Sequence, residues 1–201
     1  ISVHHQPSLG GSDALHSKIK YEQDCRRYGV EVQKYHTDNG IFTSDSYLRA
    51  LENERQTIEV AGVGAHHQNP YAERAIQTVV YMARTMLIHA KLHWPEEFDI
   101  KLWPFALDYA CWIHNHLPDK QSGLCPEEIF SGTRINCTYL NRARVWGCPA
   151  YVLHPKLQDG RKIPKWEPRA RLGQFVGISN MHSSSVKLIR NTATNYISPQ
   201  F

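Results

Sequence analysis

The chain has 201 residues, 41% of them hydrophobic and 21% charged, which suits one large or two small folded domains and excludes a wholly disordered chain. No apolar run approaches the ~20 residues that cross a bilayer, and the opening ISVHHQPSLGG has neither the basic flank nor the apolar core of a signal peptide. The net charge of +4 is uneven: residues 155–201 hold eight Lys or Arg against two acids, residues 1–154 fifteen against seventeen, so the C-terminal end suits a polyanionic partner or a solvated basic face.

In chain order, ISVHH reads as the end of a strand and suggests that the chain opens inside a fold. SDALHSKIKYEQDCRRYG then spells a helix with Ser12 as N-cap, Leu15, Ile19, Cys25 and Tyr28 at helical spacing, and a stop at Gly29. VEVQKY alternates Val30 and Val32 with polar neighbours, as a half-buried strand does, and puts Asp38 at its carboxyl end. A short helix over SDSYLRALENE, a strand QTIEVA and an irregular loop GVGAHHQNP follow. Pro70 suits the first position of a long helix whose stripe is Ala72, Ile76, Val79, Val80, Ala83, Leu87 and Ala90, with Glu73 in its first turn.

PEEFDIKL and PFALDYACWIHNHL predict two further helices, each with a proline near its start. The turn-rich stretch 117–145 is a domain boundary, and VWGCPAYVL, GQFVGIS, SVKLIR and NYISPQF read as strands of a small β-barrel. The five tryptophans, Trp94, Trp103, Trp112, Trp146 and Trp166, are assigned to core and barrel packing. Five cysteines without a C-x-x-C pair argue against a zinc site or disulfide framework, and reduced thiols are expected.

YHTDNGIF, residues 35–42, poses a choice: Asp-Asn-Gly turns a chain readily, and a carboxylate at a strand end also suits a hard divalent cation. Glu73 lies 35 positions on. The helix dipole alone favours an acid there, but a strand packed beside that helix would bring the two carboxylates together. His66 and His67 are adjacent and lack the spacing of zinc ligands. The HNH run at 114–116 sits at a helix C-terminus, where imidazoles are favourable in any case.

YHTDNGIF together with GAHHQNPYAERAIQTV resembles the catalytic core of copia-type retrotransposon integrases. WPFALDYACWIHNHLP is similar to the helices that follow that core, and VWGCPAYVLHPKLQDGRKIPKWEPRARLGQFVGIS to the SH3-like barrel after it. The resemblance implies an α/β fold, a partial RNase H-like core over residues 1–135 followed by an SH3-like β-barrel over 145–201. It implies Mg²⁺ or Mn²⁺ held by Asp38 and Glu73 as the catalytic metal ligands, and DNA integration by end processing and strand transfer. It also implies DNA contacts from Gln68, Asn69, Arg74 and Gln77, joined by Lys162, Lys165, Arg169 and Arg171 of the basic tail. Element ends and target DNA would be the partners, with a homo-oligomer when intact and no membrane. The nucleus or a virus-like particle would be the location. On this resemblance the metal reading of Asp38 displaces the turn reading.

Three departures bear on that expectation. The family's first catalytic Asp has no counterpart here, so the chain as it stands is expected to bind Mg²⁺ weakly and neither to cut nor to join DNA. Asn69-Pro70-Tyr71 stands where Asn-Gly is usual, and Gln77 stands where a basic residue is common. The alternative is a non-catalytic nucleic-acid-binding remnant of a mobile element, acting through its basic tail.

Overall fold

The computed structural model describes residues 1–38, 40–62, 69–135, 137–183 and 185–201. The fold is mixed α/β, and the chain divides into two compact units, Ile1–Thr78 with Glu128–Thr133, and Val79–Glu127 with Arg134–Phe201.

In the first unit, residues 1–6 form neither helix nor strand, which corrects the strand expected at ISVHH. The sheet described there has two strands, and neither draws on this segment. Helix α1 spans Gly11–Arg27. It starts two residues before the expected place, because Gly10 supplies the extended N-cap backbone and Ser12 lies within the first turn. Its end is as the sequence indicates. Gly29 has φ of +72°, its N–H donates to the Arg26 carbonyl at 3.0 Å, and the Val30 N–H reaches the Cys25 carbonyl at 3.1 Å. Those two bonds are the pair that closes a helix on a left-handed glycine.

Strand β1 (Lys34–Thr37) pairs in parallel with β2 (Thr57–Val60), Tyr35 opposite Ile58. Parallel neighbours need a crossover, and helix α2 (Asp45–Asn53) lies between them in sequence. The ladder takes in only the end of VEVQKY and runs on to Thr37; Val30 and Val32 precede it. The small core gathers Ala14 of α1 and Tyr47 and Leu51 of α2, with Tyr35, Phe42 and Ile58 against it. The buried face of α1 is Ala14, Lys18, Glu22 and Cys25, whereas Ile19 and Tyr28 of the expected stripe are exposed. Lys18 and Glu22 tolerate that position because they pair at 2.8 Å.

Helix α3 (Pro70–His93) contributes to both units. Val79, Ala83 and Ala90 of its stripe are buried, but Ile76 is 60% exposed and Val80 43%. In the second unit, PEEFDIKL is not an α-helix. Pro95 follows the last turn of α3, and the Asp99 carboxylate accepts from the Lys101 N–H to start a single 3₁₀ turn over Ile100–Leu102. Helix α4 (Trp103–His116) follows; the short α5 (Pro126–Ser131) lies across the boundary, with Glu128 onward in the first unit.

The four strands read from the tail are all present. β3 (Pro149–Leu153), β4 (Ala170–Ile178), β5 (Lys187–Arg190) and β6 (Ile197–Gln200) form one antiparallel sheet in that order, with α6 (Pro155–Gln158) between β3 and β4. Ala106 and Ala110 of α4 are fully buried, small enough to let the helix lie close on β4. Tyr109 of the same helix sits edge-on to Phe175 at 5.2 Å and donates to the Arg144 carbonyl at 2.7 Å. Trp146 is buried as expected, its indole N–H on the Val176 carbonyl at 2.9 Å. The buried Arg190 guanidinium spans from the Glu97 carbonyl (2.7 Å) to the Gln174 amide oxygen (3.0 Å), tying β4 and β5 to the segment after α3.

Candidate metal and nucleic-acid sites

Asp38 directly follows β1 and is exposed. The Ala61 N–H donates to the Thr37 carbonyl at 2.8 Å, carrying the parallel pairing one step beyond β2. Asp38 therefore leaves from the carboxyl edge of a parallel strand pair, the edge at which open α/β sheets bind ligands. Glu73 lies in the first turn of α3, partly exposed, with its N–H on the Asn69 carbonyl at 3.1 Å. The helix dipole favours an acidic side chain at this position. Both residues belong to the first compact unit.

The neighbouring acid on β2 is already engaged. Glu59 takes Lys34 at 2.6 Å and His36 at 3.3 Å, and hydrogen bonds from Lys34 and then His36 hold its carboxyl below the usual range. Carboxylate oxygens suit Mg²⁺ or Mn²⁺ in kind. Among the described residues, no group of three or more His, Cys, Asp or Glu could hold a metal ion, so Asp38 and Glu73 are offered as a pair. Arg74 and Gln77 are exposed one step and one turn past Glu73. Gln68, His66 and His67 lie outside the described residues.

The basic residues of the tail have a defined scaffold. Leu153 pairs with Ala170 at the open end of the β3–β4 ladder, and the His154 N–H closes it on the Arg169 carbonyl at 2.8 Å. Residues 154–169 are thus one excursion from the sheet. It carries Lys156, Arg161, Lys162, Lys165 and Arg169 against Asp159 and Glu167, and all five cations are exposed. Arg171 sits at the base on β4, partly buried, and its Nη1 has no hydrogen-bond partner among the described residues. Lys187 of β5 is held below the usual lysine range by burial first, and then by the charges of Arg144 and Arg142. A positive field of this kind favours phosphate.

Trp166 does not pack in a core. It is 89% exposed, which corrects the packing role expected of it. The Glu167 N–H donates to the Pro164 carbonyl at 3.2 Å, closing a β-turn with Lys165 and Trp166 at its tip. The signal was present in the sequence as a tryptophan between Lys165 and Glu167, bracketed by Pro164 and Pro168.

No helix among the described residues is long and apolar enough to cross a membrane. No protein-family model matches the chain. Among solved structures, the chain is similar to one from the cryo-EM structure of a simian T-cell lymphotropic virus intasome in complex with PP2A regulatory subunit B56 gamma. The two are 16% identical with a TM-score of 0.46, and the match covers 99% of this chain and 64% of that one. The chain therefore spans less than two thirds of that protein's length, and a likeness of this degree assigns no role to any residue.

Proposed function

We propose that this chain is the integrase region of a copia-type retrotransposon polyprotein, an RNase H-like core followed by an SH3-like barrel, with DNA as its partner. The observation that supports this most directly is the position of Asp38 at the carboxyl edge of the β1–β2 pair, in one compact unit with Glu73 in the opening turn of α3. Asp38 and Glu73 would hold Mg²⁺ or Mn²⁺. When bound, such an ion supplies positive charge to the phosphoryl oxygens of the DNA strand.

The chain's own residues have separate tasks in this reading. Asp38 and Glu73 offer oxygen donors. Asn69, Arg74 and Gln77, with Gln68, which precedes them in sequence, touch the DNA end. Lys162, Lys165, Arg169 and Arg171 neutralise phosphates without reading bases. A second reading, a nucleic-acid-binding module without catalysis, is favoured by the five exposed cations of the 154–169 excursion.

Thermal unfolding in Mg²⁺ separates the two, because a ligand that binds the folded state raises its stability. In the integrase reading Mg²⁺ raises the Tm of the wild-type chain, and Asp38→Asn abolishes that rise while leaving salt-sensitive DNA binding intact. Equal Mg²⁺ effects on wild type and variant would leave the binding-module reading alone.

A further inference from the structure

We infer that Trp166 is a stacking platform for one unpaired nucleobase, so that the 154–169 excursion engages single-stranded or frayed DNA rather than closed duplex alone. This rests on the nucleic-acid reading above and adds a substrate class to it.

Four observations carry the inference. First, Trp166 is 89% exposed at the tip of a hydrogen-bonded turn. A tryptophan left in water forgoes the burial that normally fixes its place. Second, the Lys165 ammonium lies 5.1 Å from the centre of the indole ring. It covers one face and leaves the other for a flat partner, while its charge adds to the positive field of the excursion. Third, Pro164 and Pro168 bracket the tip and fix φ on both sides, which lowers the entropy lost when the ring is immobilised against a base. Fourth, the excursion supplies exposed cations on both sides of Trp166, Lys162 and Lys165 before it and Arg169 after it. A basic track with an exposed aromatic in the middle is the arrangement by which proteins hold single strands, phosphates on cations and bases on rings. Base pairs inside an intact duplex are stacked on both neighbours and offer no free face, so away from the duplex ends the ring gains a partner only where the strand is open.

The test compares three probes of equal length at one salt concentration: oligo-dT, the same backbone with abasic sites in place of thymine, and a blunt duplex. The full chain and the Trp166→Ala and Trp166→Phe variants are titrated against each by fluorescence anisotropy. Stacking predicts that wild type prefers oligo-dT to the abasic strand by about tenfold. Trp166→Ala should lose that preference while keeping its affinity for the abasic strand and the duplex, and Trp166→Phe should retain most of it. The exposed position predicts unchanged circular dichroism for both variants. If wild type binds dT and abasic strands equally, or if Trp166→Ala weakens all three probes alike, the stacking inference is overturned while the phosphate-binding reading stands. If wild type binds none of the probes at low salt, both fall together.

Discussion

The Tyr35 phenol donates to the Glu22 carboxylate across 2.6 Å, joining β1 to the buried face of α1. The same carboxylate accepts from Lys18 at 2.8 Å and from the Gln56 amide at 2.7 Å. Lys18 is 5% exposed and Glu22 4%, so this is a charge pair inside the first unit. Burial alone would raise the Glu22 pKa, but the hydrogen bonds from Lys18, Tyr35 and Gln56 outweigh it and hold the carboxyl below its ordinary range. Burial and then the Glu22 hydrogen bond push Tyr35 up, and burial with the Glu22 charge takes Tyr47 up to about 12.

These shifts fix how stability depends on pH. Glu22 has a depressed folded pKa, so its contribution is present above the unfolded carboxylate value of ~4.3 and is lost as pH falls toward the folded one. Tyr35 and Tyr47 have raised folded values, so theirs is present below ~10 and is lost as pH rises beyond it. Urea unfolding across pH should therefore show a plateau between these limits. Tyr35→Phe should lower stability by about 2 kcal/mol at neutral pH and flatten the alkaline fall. Glu22→Ala should cost ~3 kcal/mol or more, because it strands the Lys18 charge. A variant lacking Glu22 that matches wild type would show that this pair does not hold α1 to β1.

Gly147 is expected to reject any side chain. Its φ is +82°, and a Cβ there would meet the Ala90 Cβ at 2.8 Å. Its carbonyl also accepts the Trp94 indole N–H at 2.6 Å. Gly147→Ala should destabilise by about 2 kcal/mol, and Trp94→Phe by about 1 kcal/mol through loss of the hydrogen bond. Chemical denaturation checks both, with the slope unchanged.

DNA affinity should fall linearly with salt on logarithmic axes. Replacing Lys162 or Arg169 by Ala should make the slope shallower by roughly 0.9 for each duplex phosphate contact removed. Lys101→Ala, at an exposed cation outside residues 154–169, should leave it unchanged. Equal effects at all three positions would indicate a diffuse charge effect with no localised track.

The legible parts of the fold were those set by short-range chemistry. Gly29 ends α1 because only a residue free of a Cβ takes its backbone angle without cost, and Pro70 opens α3 for a reason visible in one residue. The four tail strands were readable as short apolar runs separated by Gly, Pro and Asn. What escaped depended on partners far along the chain. Lys18 and Glu22 look like a solvated pair until Tyr35 of β1 and Gln56, just before β2, reach Glu22. ISVHH has strand composition but no described ladder. Trp166 was assigned inward because tryptophan usually is, and only the turn closed by Glu167 and Pro164 turns it outward. For the site, the positions of Asp38 and Glu73 on their elements follow from local signals, whereas their joint role rests on the resemblance.

The proposed function requires Asp38 and Glu73 to share a metal. Mn²⁺ titration followed by electron paramagnetic resonance tests it with wild type, Asp38→Asn, Glu73→Gln and the double variant, and with Glu59→Gln as control. A shared site predicts weak binding by wild type, lost as fully in either single variant as in the double, and kept in Glu59→Gln. Undiminished Mn²⁺ binding by both single variants would contradict it.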